Sequence, residues 1–238
     1  VTHPAVLFLG AFIAAALSGS AGFGGALLLL PFLTHSVGPD AAVPLLTLAQ
    51  IVGNATRLTL GIRQLRWRPV LLFLLTGVPA AVFGALCFIS IPKAAVVRLT
   101  GAAILIFVLF HLRVRRPAAA GRVVLLLIGA LSGFVSGLVG SAGPLGSAAF
   151  LSLGLPPVAY IASDAAASLC IHIAKTITYQ QRLGLSVQQG KLALLLSVAM
   201  ILGTIVSKRI IERLPPERFR VYVTILLLAI ALMMVIKG

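Results

Sequence analysis

Long apolar runs separated by short basic gaps extend along the chain. The first, over residues 5–33, exceeds the roughly 20 residues that an untilted membrane span requires. It is interrupted midway by a polar, glycine-rich break, Ser20-Ala21-Gly22-Phe23-Gly24-Gly25. The arms on either side, near 4–17 and 24–33, give helices of only about 15–20 Å at roughly 1.5 Å per residue, and neither is a comfortable span. Apolar runs follow at 41–61, 69–91 and 94–112, and then a linker, 113–122, that carries Arg113, Arg115, Arg116 and Arg122. Beyond it the order repeats: a broken stretch at 123–153 around Ser141-Ala142-Gly143-Pro144-Leu145-Gly146, then runs at 158–179, 188–206 and 219–236. The pattern predicts an all-α polytopic membrane protein in which residues 1–112 and 123–238 are two copies of one unit.

Aligning the two breaks brings polar positions of the following spans into register after a three-residue shift. Gln50 then falls on Ser168, Asn54 on His172 and Arg57 on Lys175. The identity is weak, but the order is coherent.

Composition agrees with the pattern. The chain is 60% hydrophobic and 10% charged, with a mean hydropathy of +1.15, well away from soluble domains. Its formal charge of +15 does not form a basic face with interleaved aromatics, so the charge reads as topology signalling and not as nucleic-acid binding. Cys87 and Cys170 both lie inside apolar runs and imply neither a disulfide framework nor a metal cluster. No cofactor is implied. The opening Val1-Thr2-His3-Pro4 suggests a trimmed start, and the first apolar run leads into the glycine break without a signal-peptide cleavage site.

The charge distribution also bears on orientation. If each broken stretch turns back as a re-entrant hairpin, one side of the membrane receives twelve basic residues: Arg63, Arg66, Arg68, Arg113, Arg115, Arg116, Arg122, Lys208, Arg209, Arg213, Arg218 and Arg220. The other receives five, Lys93, Arg98, Arg182, Lys191 and Lys237. If both stretches cross fully, the count becomes ten against seven, and the basic loop at 208–220 moves outside. The hairpin arrangement fits the positive-inside rule better. Three crossings plus one hairpin is an odd number, so the second unit is then inverted relative to the first, a layout found in secondary transporters.

Irregular backbone at membrane depth is tolerated only where protein buries it or a cavity is lined by it. A break followed by a helix start aims N–H groups and the positive dipole end into the gap, which favours an anion. Gly22, Gly24, Gly25, Gly143 and Gly146 permit unusual backbone angles and close approach. Ser20 and Ser141 are placed to cap the following half-helices, and Pro144 suits a first helical turn. Packing of small residues between helices is the competing reading for both breaks. The candidate site thus comprises residues 20–25 and 141–146 with Gln50, Asn54, Arg57, Ser168, His172 and Lys175. Arg57 and Lys175 lie within about a turn of their span ends, where snorkelling to the interface competes with ligand contact. Asp164, the one acid within an apolar run, either pairs with a basic residue or, with His172, carries a coupling proton. Cys170 either faces a substrate or is packed inertly, and Glu212 and Glu217 make surface pairs in the 208–220 loop. No hydrolase or phosphoryl-transfer motif is present, so an enzyme is not expected.

The segment Leu17-Ser18-Gly19-Ser20-Ala21-Gly22-Phe23-Gly24-Gly25 resembles a signature of the sulfite exporter TauE/SafE family. So do its second copy, Ser136-Gly137-Leu138-Val139-Gly140-Ser141-Ala142-Gly143-Pro144-Leu145-Gly146, and the segment Lys175-Thr176-Ile177-Thr178-Tyr179. The resemblance spans nearly the whole chain. It implies secondary transport of small sulfur-containing or carboxylate anions, such as sulfite, thiosulfate or sulfoacetate, across a bacterial-type inner membrane. The expectation is therefore an alternating-access transporter whose partners are a small anion and the lipid bilayer, with a homodimer compatible with the charge distribution. An anion channel using the same half-helices and a membrane-embedded enzyme or assembly factor are the rival classes.

Overall fold

The computed structural model describes residues 4–19, 26–90, 121–183 and 186–211, with isolated positions 92, 102, 105, 221, 225, 228, 229 and 232. The first break, 20–25, lies outside the described residues, as do almost all of the expected spans at 94–112 and 219–236 and the linker to residue 120. The continuous described segments form eight α-helices: α1 Pro4–Gly19, α2 Ala26–Val37, α3 Pro39–Gly61, α4 Trp67–Ser90, α5 Arg122–Val139, α6 Gly143–Leu151, α7 Pro157–Leu183 and α8 Val187–Ile211. A single 3-10 turn, Ile62–Gln64, follows α3.

Local chemistry sets several of the helix starts. Pro39 and Pro157 open α3 and α7, where a missing N–H costs nothing. Ser186 and Gln189 form a reciprocal capping box at α8: the Ser186 N–H donates to Gln189 Oε1 at 2.8 Å, and the Gln189 N–H to Ser186 Oγ at 3.2 Å.

Among the described residues, four helices are long and apolar enough to cross a membrane, in the stretches Trp67–Phe88, Arg122–Val139, Pro157–Gln181 and Val187–Arg209. The first arm of the second broken stretch, α5, is thus long enough to cross by length and composition, while its other arm, α6, has nine residues. In α3, 23 residues long, Thr47, Gln50, Asn54, Thr56 and Arg57 lower the hydropathy, and it falls outside that set. Leu75, Leu127 and Leu194 on the crossing helices are each about two-thirds exposed. A solvent-facing surface of that kind is costly, whereas lipid accepts it.

The principal helix contacts are α1 with α2 and α8, α2 with α3, α3 with α7 and α8, α4 with α5 and α7, and α6 with α5 and α7. Exchanging α1 with α5, α2 with α6, α3 with α7 and α4 with α8 maps this set onto itself, so α1–α8 becomes α5–α4 and α3–α8 becomes α7–α4.

The α4–α5 contact is the most intimate. Gly129, Gly133 and Gly137 recur every four residues on α5, and a Cβ at each would strike the carbonyl oxygens of Phe73, Gly77 and Ala81 respectively. The two backbones touch directly, as small residues permit between membrane helices. Gly77 and Gly84 on α4 meet α5 in the same way, the first 3.2 Å from the Gly129 carbonyl oxygen and the second against Phe134.

Candidate functional site

The second break consists of Gly140, Ser141 and Ala142, between α5 and α6. Gly140 terminates α5 in the left-handed region, φ 86°, and its N–H closes on the Ser136 carbonyl at 2.9 Å. This is a helix end that favours glycine. The conformational demand therefore falls on Gly140, which lies just upstream of the six residues singled out in sequence. Gly143 and Gly146 have ordinary φ. What Gly146 supplies is room: a Cβ there would sit 3.3 Å from Asp164 Oδ1 and 3.5 Å from Ser132 Oγ.

Within the break the backbone is largely satisfied. The Gly143 N–H donates to Ser141 Oγ at 3.3 Å, as the expected cap requires. The Leu145 and Gly146 N–H groups donate to the Ala142 carbonyl at 3.0 and 3.3 Å, and Pro144 has no N–H to offer. In this state the first turn of α6 contributes its dipole more than open hydrogen-bond donors.

A small cavity opens beside the break. From α3 it is lined by Gln50, Asn54 and Arg57, and from α7 by Ser168, Ile171 and His172. Phe73 of α4, Ser132 and Ser136 of α5, and Ser141, Ala142 and Gly143 complete the described lining. Positions 50, 54 and 57 follow the i, i+4, i+7 spacing of one helix face, as do 168, 172 and 175. Because α3 packs on α7, the two faces meet. The room open to the centre of a water-sized sphere is about 10 Å³, roughly enough for one water.

Two predicted residues sit behind this lining. The Lys175 ammonium is completely buried and does not snorkel. It donates to the Ser136 carbonyl at 3.0 Å, to Ser136 Oγ at 2.9 Å and to the Gly140 carbonyl, which uses all three of its donors. One turn on, the Tyr179 hydroxyl donates to the Gly137 carbonyl. Together they close the C-terminal carbonyls of α5, where a cation is also favoured by the helix dipole.

Arg57 does not snorkel either, being 5% exposed. Its Nη2 donates to Asn54 Oδ1, and its Nη1 lies 3.7 Å from Asp164 Oδ2. Asp164, itself 1% exposed, thus takes an ion-pair partner from the other half of the chain. Asn54 Nδ2 and His172 Nδ1 are buried without a hydrogen-bond partner among the described residues. Among the described lining residues Arg57 is the one permanently cationic side chain, and none is a carboxylate.

Leu145 is buried. Cys170 is an exposed free thiol outside the described lining, so it does not face the cavity. Among the described residues no three His, Cys, Asp or Glu side chains gather as a metal site requires. Sequence reasoning missed Ser132 and Ser136 as lining residues, although hydroxyls four apart on an apolar helix leading into a break were the available signal.

A family model described as sulfite exporter TauE/SafE matches residues 7–234, nearly the full length. The chain belongs to the sulfite exporter TauE/SafE family. As a TauE/SafE protein it is a membrane transport protein, consistent with its several apolar helices. Searches of curated proteins and of solved structures return no match.

Proposed function

We propose that this TauE/SafE protein is a secondary transporter that carries a small sulfur-containing or carboxylate anion across the cell inner membrane by alternating access. Sulfite, thiosulfate and sulfoacetate are the class of substrate. The observation that carries the reading is the cavity between α3, α7 and the second break, whose described lining holds one fixed cation and no carboxylate, with buried polar atoms on Asn54 and His172 that have no hydrogen-bond partner among the described residues. Arg57 supplies charge, Asn54 Nδ2 and the hydroxyls of Ser136 and Ser141 supply donors, and the dipole of α6 favours the same sign. Gln50, Ser168, residues 142–146 and the first break, 20–25, complete the site in this reading, and Lys175 acts from behind it.

Exchange of the halves leaves the helix contacts unchanged, which supports a duplicated architecture. The basic-residue distribution supports inversion of the second copy. The described cavity is narrow, with room for about one water, which favours a carrier over a wide anion pore. In the described lining no carboxylate stands with a nucleophile and a base.

The test is a thermal-shift screen of the purified protein against sulfite, thiosulfate, sulfate, sulfoacetate, taurine and malonate. A ligand at about 100 times its Kd stabilises by about 2.7 kcal/mol. Stabilisation by one or more of these anions, with matching uptake or efflux in proteoliposomes, is expected. A flat response to all of them at high millimolar concentration overturns the anion site.

A further inference from the structure

The pairing of Arg57 with Asp164 has a consequence for what accompanies the anion. Arg57 lies between the cavity, which it lines, and Asp164, which is not part of the described lining. Both side chains are almost wholly buried, so their charges are balanced mainly against each other and not by water. The carboxylate is also hemmed in: Oδ1 lies where a Cβ on Gly146 would be 3.3 Å away, and Ser147 of α6 and Tyr160 of α7 face the same group. His172 of α7 is a further titratable group near Arg57, with Lys175 on its other side along the helix. Lys175 is committed to the end of α5 by its three acceptors.

An anion that enters the cavity and approaches Arg57 becomes a second negative charge on a guanidinium already neutralised from behind. Two like charges sharing one counter-charge in a closed site cannot both stay ionised cheaply, and the one able to take a proton does so. Of the two acidic residues among those described, Asp40 is placed at the start of α3. Among the described residues Asp164 is thus the acid beside the site.

We propose that the transporter carries one proton with each anion, and that the Asp164 carboxylate is the proton's binding site. The proton comes from the aqueous side to which the site is open. It converts the carboxylate to a neutral acid, releases Arg57 to the anion, and leaves on the opposite side when the anion does. No bond of the anion is made or broken. The pair joins the two halves of the chain, so protonation also removes an ion pair between α3 and α7, the helices on either side of the cavity. This inference rests on the anion-transport reading, and its test separates the two.

The test is isothermal titration calorimetry of the purified full chain with thiosulfate and with methanesulfonate, neither of which titrates near neutrality. Each titration is repeated at one pH in buffers of different ionisation enthalpy, from weakly acid to weakly alkaline solution. The expected result is uptake of one proton per bound anion and an affinity that rises about tenfold for each unit fall in pH across the linked range. Asp164→Asn is expected to bind the anion with no linked proton and with pH-independent affinity, while His172→Gln, at whatever affinity it binds, still takes up the proton. Anion binding by the wild-type chain without proton uptake at every pH overturns proton coupling, and uptake that persists in Asp164→Asn or is lost in His172→Gln overturns the assignment to Asp164; both leave the transport reading intact. Absence of binding by any anion in the wild-type chain overturns both. Should Asp164→Asn not fold, the wild-type buffer series decides the question alone.

Discussion

Lys175 and Ser136 meet twice: the ammonium of α7 donates to both the carbonyl, at 3.0 Å, and the hydroxyl, at 2.9 Å, of a residue one turn before the end of α5. A third bond, to Gly140, ties the same ammonium to the break itself. Lysine at this position acts as a brace for irregular backbone where lipid offers no substitute. Lys175→Met retains the bulk and removes the donors, leaving the Gly140 carbonyl and the Ser136 hydroxyl without the ammonium, while the Ser136 carbonyl keeps the Gly140 N–H. The expected cost is about 2–4 kcal/mol, from about 1–3 kcal/mol for each unsatisfied group with partial relaxation. Fluorescence-detected size-exclusion after a heating series reads it as a lower melting temperature, with anion protection weakened as well.

The cavity's charge and its hydrogen-bond donors separate by magnitude. Arg57→Ala removes a charge-assisted contact and leaves Asp164 buried without its counter-ion, so anion affinity is expected to fall by about 30-fold or more, from about 2–5 kcal/mol. Asn54→Leu removes one neutral donor and is expected to cost only about 3–10-fold, from about 0.5–1.5 kcal/mol. Titration of each variant with the best-binding anion checks the ranking. Equal losses would remove Arg57 from its place as the principal anchor.

Gly140 and Gly190 make a matched pair of substitutions. Gly140 has φ 86°, and a Cβ there would be 3.1 Å from Val43 Cγ1, so Gly140→Ala is expected to destabilise by about 1–2 kcal/mol. Gly190 lies in α8 with open space around it, so Gly190→Ala is expected to stabilise by about 0.4–1 kcal/mol. Opposite shifts in melting temperature check both.

At the α4–α5 contact even a methyl group has nowhere to go. Gly133→Ala is expected to cost about 1–3 kcal/mol, the usual penalty for overpacking, and Gly133→Leu to abolish the folded, monodisperse protein. Yield and elution profile after membrane extraction are the measurements.

The membrane class was legible in the sequence, because apolar composition and run length are local properties. So was most of the described cavity lining: Gln50, Asn54 and Arg57 on one helix and Ser168 and His172 on its counterpart came together because the two copies could be laid over each other. Depth was harder to read. The positions of Arg57 and Lys175 near span ends pointed to the interface, but distance along a helix axis says nothing about what packs beside it: Arg57 meets Asp164 of the other half, and Lys175 meets the end of α5 in its own. The partners of Asp164 and Lys175 depend on contacts across long separations, 107 residues for the ion pair with Arg57 and 39 for the bond to Ser136. Gly140 was hidden by the choice of motif, since the helix ends one residue before the break's first serine.

The glycine-lined contact between α4 and α5 joins a helix of residues 1–112 to a helix of residues 123–238, backbone against backbone. Surfaces that close cannot slide without first coming apart. In the alternating-access mechanism proposed above, α4 and α5 therefore travel in one body, and the proposed motion does not separate residues 1–112 from residues 123–238.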